Sequence, residues 1–413
     1  MDFVFFIYLF SGIIKSILSF YGIELPVDLT AITGALVLLG VIWRVSRNIE
    51  RNFLSIRGLV SVSVLLLLFL WMMVTLMYTA SETYSKLKVF FFATNIIAFI
   101  YPLVNHNLNI RKFLQGFILF VFVLMLWYIP HLMLYISKPF LHSIERYSEM
   151  SGQYLVLGFM SGFSVLLLLH RKDLFKPTIR IFLILFFIPA MFLIGSRGAL
   201  LFTIIVWFVM VLRRLVITVA RNIGIKRQGL IRSGIISVVF VLLVSVVSIG
   251  FSNKMDFLIN RSLVRFKLLV NPDSHGESVD VRVDQIRFSL DKINKSATTV
   301  FLGYGIGSYG ILESGEDGRA YPHNFILELQ FETGLIGLVL FLIFLLTLFV
   351  GKRGSPDFKY LPAFLFLYFF LNYMKSWSIV DMRICFGLLG LYFLETWILE
   401  QQIETKKNDA NGC

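Results

Sequence analysis

Charge is scarce in this chain. Only 15% of its 413 residues are Asp, Glu, Lys or Arg, where a soluble domain carries about a quarter. Cysteine is scarcer still: Cys385 lies in an apolar run and Cys413 at the end of the sequence. Two such distant cysteines exclude a disulfide framework and any Cys-based metal or redox motif. No internal repeat and no low-complexity segment is present. The opening MDFVFFIYLF lacks a basic leader and a small-residue cleavage site, so it reads as a retained first span and not as a signal peptide.

What fills the chain instead is hydrocarbon: 57% hydrophobic and 16% aromatic residues, with a mean hydropathy of +0.81. It comes in separate runs long enough for a bilayer, which needs about twenty apolar residues per helix. Gly58–Thr79 is one, with no charge in it. Twelve candidate spans emerge, near 3–22, 29–43, 58–79, 87–104, 113–136, 153–169, 181–195, 199–212, 234–251, 325–350, 361–379 and 384–400. All should be helices, because a lone span must satisfy its own backbone hydrogen bonds. The second, seventh and eighth are short, and the turn Gly195-Ser196-Arg197-Gly198 parts the seventh from the eighth. The fold class expected is all-α: a polytopic membrane protein with about twelve transmembrane helices and one large outer loop.

The net charge of +13 would suggest nucleic acid in a soluble protein. Here the basic residues sit between hydrophobic runs, so the first reading is topological and no nucleic-acid partner is expected. One set of short connections holds Arg44, Arg47, Arg51, Arg57, Arg111, Lys112, Arg171, Lys172, Lys176 and Arg180, and continues through Arg213, Arg214, Arg221, Lys226, Arg227, Arg232, Lys352, Arg353, Lys359, Lys406 and Lys407. The alternate set holds only Lys86, Lys88, Lys138, Arg146, Arg197, Lys375 and Arg383. The positive-inside rule then places both termini in the cytoplasm and frees the long loop to lie outside. The expected organisation is spans one to nine over 1–251, a periplasmic loop over 252–322, spans ten to twelve over 323–400 and a cytoplasmic tail over 401–413.

The loop changes character. Asn271-Pro272-Asp273 reads as a turn. Val283, Ile286, Leu290 and Ile293 then recur at helical spacing, which predicts an amphipathic helix over 279–295 on the membrane surface. The run Gly303-Tyr304-Gly305-Ile306-Gly307 resembles a dinucleotide fingerprint only superficially, lacking the strand–turn–helix context and the later acidic partner.

Few polar groups remain for chemistry. Arg197 is either a snorkelling arginine at a helix end or a guanidinium fork that grips a diphosphate. His323 and Asn324 follow Tyr321-Pro322 where the loop re-enters the apolar region. They are either an interfacial histidine and a helix cap, or the histidine is a general base. The positive end of a helix dipole favours a neutral imidazole there. Glu328 and Glu332 share one helical face and are costly unless they meet protein or water. Arg261, Arg265, Arg282 and Arg287 read more simply as partners of anionic headgroups.

Several of these segments together resemble the superfamily of O-antigen ligases and O-antigen polymerases. The resemblance rests on Gly195-Ser-Arg-Gly-Ala-Leu-Leu201, on Arg282 leading to Phe301-Leu-Gly-Tyr-Gly-Ile-Gly-Ser308, on Tyr321-Pro-His-Asn-Phe-Ile-Leu-Glu328 and on Phe331-Glu-Thr-Gly-Leu-Ile-Gly337. It covers about 190–345. It implies a bacterial inner-membrane glycosyltransferase of lipopolysaccharide or surface-polysaccharide biosynthesis. The donor is a glycan on undecaprenyl diphosphate; the acceptor is the lipid A–core or a second lipid-linked glycan, at the periplasmic face. Arg197 and Arg282 match the family's arginines and are expected to bind the diphosphate. His323 matches its loop-end histidine and is expected to be catalytic, with Asn324, Glu328, Glu332 and Arg287 in support. Where the family often has a tryptophan after the loop arginine, this chain has Ile286. No DxD-like carboxylate pair recurs on the loop, so no metal or other cofactor is expected. The rival reading is a transporter or flippase of lipid-linked oligosaccharides, which should place ionisable groups near mid-membrane. A non-catalytic scaffold is the third reading.

Overall fold

The computed structural model describes residues 1–47, 55–137, 150, 152–221, 277–347 and 361–411, and among them the chain is helical with no strand. The helices are α1 (Asp2–Phe20), α2 (Leu29–Arg47), α3 (Ile56–Thr75), α4 (Tyr84–Val104), α5 (Ile110–Ser137), α6 (Tyr154–His170), α7 (Pro177–Leu193), α8 (Arg197–Arg221), α9 (Glu277–Ile293), α10 (Ala297–Leu302), α11 (Tyr309–Ser314), α12 (Phe325–Thr347), α13 (Leu361–Ser376) and α14 (Arg383–Asn411). Among the described residues seven helices are long and apolar enough to cross a membrane, and α6 and α7 are shorter apolar helices. The expected span 234–251, the turn at Asn271–Asp273 and both Arg261 and Arg265 lie outside the described residues.

Two helices expected to be short are not: α2 runs on to Arg47 and α8 to Arg221. Arginine extends a helix as readily as leucine does.

Two compact units share the chain: one comprises 1–110, 277–363 and 373–413, the other 111–276 and 364–372. In the second, α6 packs against α7 and α8. The hydroxyl of Tyr368 donates to the Phe159 carbonyl at 2.8 Å. The turn between α7 and α8 is closed by Gly195, whose φ of +76° suits the left-handed position after a helix. Gly195 N–H donates to the Phe192 carbonyl and Ser196 N–H to the Met191 carbonyl, the paired bonds of a Schellman stop. Arg197 therefore opens α8.

In the first unit, α14 lies along α4, and α12 along α3. The two ends of this unit are chemically distinct. At one, Arg57 Nε donates to the Thr347 carbonyl (2.6 Å), Asp2 accepts from Asn105 Nδ2 (2.7 Å), and the His106 ring stacks on Trp397 at 4.1 Å. The first turn of α4, the first turn of α12 and the loop before His323 meet at the other.

One feature of α12 was not visible in its apolar sequence. Gly334 has a φ of +65° and breaks the helix. The carbonyls just before the break lose their helical partners and take others, as a kink requires. Phe331 accepts from Tyr304 N–H and Glu332 from Gly305 N–H, both at 2.9 Å, and Thr333 accepts from Trp71 Nε1 at 2.8 Å. The Gly303–Gly307 run thus passes over the kink so closely that a Cβ on Gly334 would lie 2.2 Å from the Phe301 carbonyl oxygen. Backbone approach, not phosphate binding, accounts for these glycines.

Candidate active site

Helix α9 forms as expected, but its apolar stripe divides. Ile293 is buried with Tyr309 and Phe331, and Phe288 packs on the same cluster. Val283, Ile286 and Leu290 stay exposed. The helix is therefore anchored on the protein by one edge and presents the other three apolar residues outward. Arg282 is half-buried, whereas Arg287 is exposed and only 3.8 Å from Asp284, a solvated pair.

The loop ahead of α12 is stapled at two points. Asp317 caps the start of α4, accepting from Ser81 Oγ (2.6 Å), Glu82 N–H (3.0 Å) and Thr83 N–H (2.8 Å). These bonds, the Ser81 hydroxyl foremost, hold its carboxyl below the usual carboxylate range. Two residues on, Arg319 Nη2 donates to both oxygens of Asp381 at 2.7 and 2.8 Å. Asp381 lies in the short 3-10 turn Ile379–Asp381, between α13 and α14.

Between the staples and the helix sits His323, whose φ of +52° is in the left-handed region. For a residue with a Cβ that costs about 1 kcal/mol or more, so the surroundings must impose it. Pro322 precedes it, and Asn324 follows as the α12 cap, its Oδ1 accepting from Leu327 N–H at 3.1 Å. The imidazole rests 4.7 Å from the Tyr321 ring, centroid to centroid. The Tyr321 hydroxyl donates to the Ser376 carbonyl at 3.4 Å, while the imidazole Nδ1 is buried with no hydrogen-bond partner among the described residues. Burial, and next the Arg282 charge, push the His323 pKa below its ordinary value; Glu328 pulls the other way. Burial also raises the Tyr321 phenol to about 12.

Arg282 and His323 are thereby brought within electrostatic reach of one another, from separate segments of the sequence. Arg197 belongs to the other compact unit, where it is half-buried at the N-terminus of α8. Glu328 and Glu332 do not face a substrate-accessible surface. Both are sealed inside the unit against Lys88, with side chains 0–1% exposed. Lys88 Nζ donates to Glu328, and to Glu332 at 2.8 Å.

Lys88 corrects the sequence reading, which treated it as an interfacial charge of a short connection. It lies inside α4 and is fully buried. The signal was present: a lysine within one span and two carboxylates on one face of another need each other in an apolar interior. Which span would supply the partner required the tertiary structure. Lys15, by contrast, pairs with Asp28 in an exposed bridge of 2.7 Å.

No curated protein matches the chain. A family model described as O-antigen ligase matches residues 181–342. The matched stretch runs from α7 into α12 and takes in Arg197, Arg282 and His323; over that stretch the chain is similar to the O-antigen ligase family.

Proposed function

We propose that this protein is a membrane glycosyltransferase that moves a glycan from undecaprenyl diphosphate onto a sugar hydroxyl at the extracytoplasmic face of the bacterial inner membrane. His323 is the general base. The acceptor oxygen attacks the anomeric carbon, the bond from that carbon to the diphosphate breaks, and the hydroxyl proton passes to the imidazole. The leaving lipid diphosphate departs as an anion. Arg282 lies where it can offset that charge, through a planar fork matched to phosphate oxygens. Arg197 takes the same role on the strength of its match to the family's first arginine.

The observation that carries this reading is the state of His323. Burial and then the Arg282 charge lower the pKa of this half-buried imidazole, which favours its neutral form, and its Nδ1 has no partner among the described residues; a base needs both properties. The distinct ends of the first unit agree with an outward-facing site. Arg57, from the strongly basic set of connections, lies at the end opposite His323, together with Asp2 and Trp397.

The transporter reading gains one observation, the buried Lys88–Glu328–Glu332 cluster. It sits one to two turns into α4 and α12, not at mid-span, and its members are bonded to one another. Transfer therefore remains the favoured reading. The test is purified protein with a lipid-diphosphate glycan and either lipid A–core or a second lipid-linked glycan, with product followed on a gel. Joined product with one acceptor identifies a ligase or a polymerase. Unaltered donor with both, and donor movement across vesicles instead, would favour the flippase. Arg→Lys at Arg282 or Arg197 should impair transfer strongly, because an ammonium cannot make the two-pronged contact.

A further inference from the structure

The buried cluster beneath the site has no part in the chemistry above, yet its bonds lead to the base. Glu328 uses both carboxylate oxygens. Oε1 takes Lys88 Nζ and the Ser378 hydroxyl, the latter at 2.6 Å. Oε2 takes the Ile379 N–H at 3.0 Å. The 376–381 segment is fixed further by Asn95 Nδ2, which donates to the Ile379 carbonyl at 2.8 Å, and by the Arg319–Asp381 pair. That segment begins with Ser376, whose carbonyl accepts from the Tyr321 hydroxyl at 3.4 Å, and the Tyr321 ring lies 4.7 Å from the imidazole. One carboxylate in the first turn of α12 therefore sets the turn over which the imidazole lies.

We propose that Glu328, bonded by Lys88, is a positioning residue for His323: it fixes the Ser376–Ile379 turn and so aims the imidazole and its Nδ1. This rests on the reading of His323 as the base. Glu328 cannot itself receive the acceptor proton, since its oxygens are occupied and no part of its side chain is exposed.

Charge is what makes the arrangement specific. A buried ion cluster contributes little net stability compared with apolar side chains of the same volume. What it supplies is direction. A carboxylate takes donors on both oxygens at once, and a hydrophobic replacement would leave the Ser378 hydroxyl and Ile379 N–H unpaired. Lys88 donates to Glu328 beside a second carboxylate. It also ties that second carboxylate, Glu332, whose own carbonyl accepts from Gly305 N–H at 2.9 Å. The two glutamates thus connect one lysine to the turn beside His323 and to the glycine run over the α12 kink.

The test compares wild type, Glu328→Gln and Ser378→Ala, each alone and with His323→Ala, in nanodiscs. Transfer is measured with polyprenyl-diphosphate glycan purified from the same strain. Diethylpyrocarbonate labelling of the His323 peptide, read by mass, reports ring position without catalysis. Glu328→Gln should lower kcat by about tenfold to a hundredfold, as a small misplacement of a catalytic group does. KM for the acceptor should hold, and His323 should label faster. Ser378→Ala should do the same more mildly. In the His323→Ala background neither change should lower the rate further, since residues acting through one another are not additive. Unchanged labelling in both variants would overturn the positioning role. So would an equal loss of rate with and without His323. If Glu328→Gln fails to insert, Ser378→Ala decides alone, and wild-type kcat and labelling in it would overturn the proposal. Full activity of His323→Ala would instead remove the base reading, and labelling would still report whether Glu328 holds the ring.

Discussion

Arg319 holds Asp381 through a single nitrogen: Nη2 lies 2.7 Å from one carboxylate oxygen and 2.8 Å from the other. This pair joins the loop ahead of His323 to the turn beside it. Because one nitrogen makes both contacts, Arg319→Lys should keep most activity, while Arg319→Ala should lower it several-fold. The stability change should stay within about 1 kcal/mol, since Arg319 is 57% exposed. Transfer rates and melting temperatures of the two variants in detergent check this. Equal loss in both would mean that the fork matters after all.

Gly334 and Gly315 provide a controlled comparison of glycine positions. Both have positive φ, +65° and +80°. A Cβ on Gly334 would strike the Phe301 carbonyl, while one on Gly315 meets nothing within 4 Å. Gly315→Ala should cost about 1 kcal/mol of backbone strain. Gly334→Ala should cost well beyond that, because the collision is with backbone that cannot swing aside. Thermal unfolding followed by size-exclusion chromatography should rank them in that order, and similar melting points would refute the packing of the glycine run on the kink.

The pH profile follows from the environment of His323. Arg282 on α9 and burial lower its pKa, while Glu328 on α12 opposes them. A base works only when neutral, so activity should fall with acidification, through a midpoint below the ordinary histidine value. Removing the positive charge makes protonation easier. Arg282→Gln should therefore move the acidic limb of kcat/KM upward, and Arg282→Lys should leave it near the wild-type position while weakening donor use. A profile of Arg282→Gln shifted downward would contradict the assigned neighbourhood.

Sidedness can be read with single cysteines placed in a variant lacking Cys385 and Cys413. Glu316→Cys, in the exposed loop beside Asp317, should react with an impermeant maleimide in spheroplasts. Arg47→Cys, exposed at the end of α2, should react only after permeabilisation. The reverse pattern would invert the topology.

The helices were legible because a bilayer demands long apolar runs, and their ends erred where side chains are amphipathic, as at Arg44–Arg47 and past Arg213. The break at Gly334 was not legible, because apolar residues flank it on both sides and its cause lies in the Phe301–Leu302 backbone. At the site, Asn324 as a helix cap was readable from local chemistry, and the structure has that bond. The approach of Arg282 to His323 was suggested only by resemblance. Lys88 with its two glutamates, and Asp317 capping a helix far away in sequence, are contacts between remote segments, and periodicity carries no information on those.

The most direct measurement is the single-turnover rate of His323→Gln with saturating lipid-diphosphate glycan and acceptor. An amide keeps a hydrogen bond but cannot accept the proton. The rate should fall about a hundred- to ten-thousand-fold, with protein abundance and donor binding intact. A near-normal rate would show that His323 only orients the acceptor, and would contradict its role as the base.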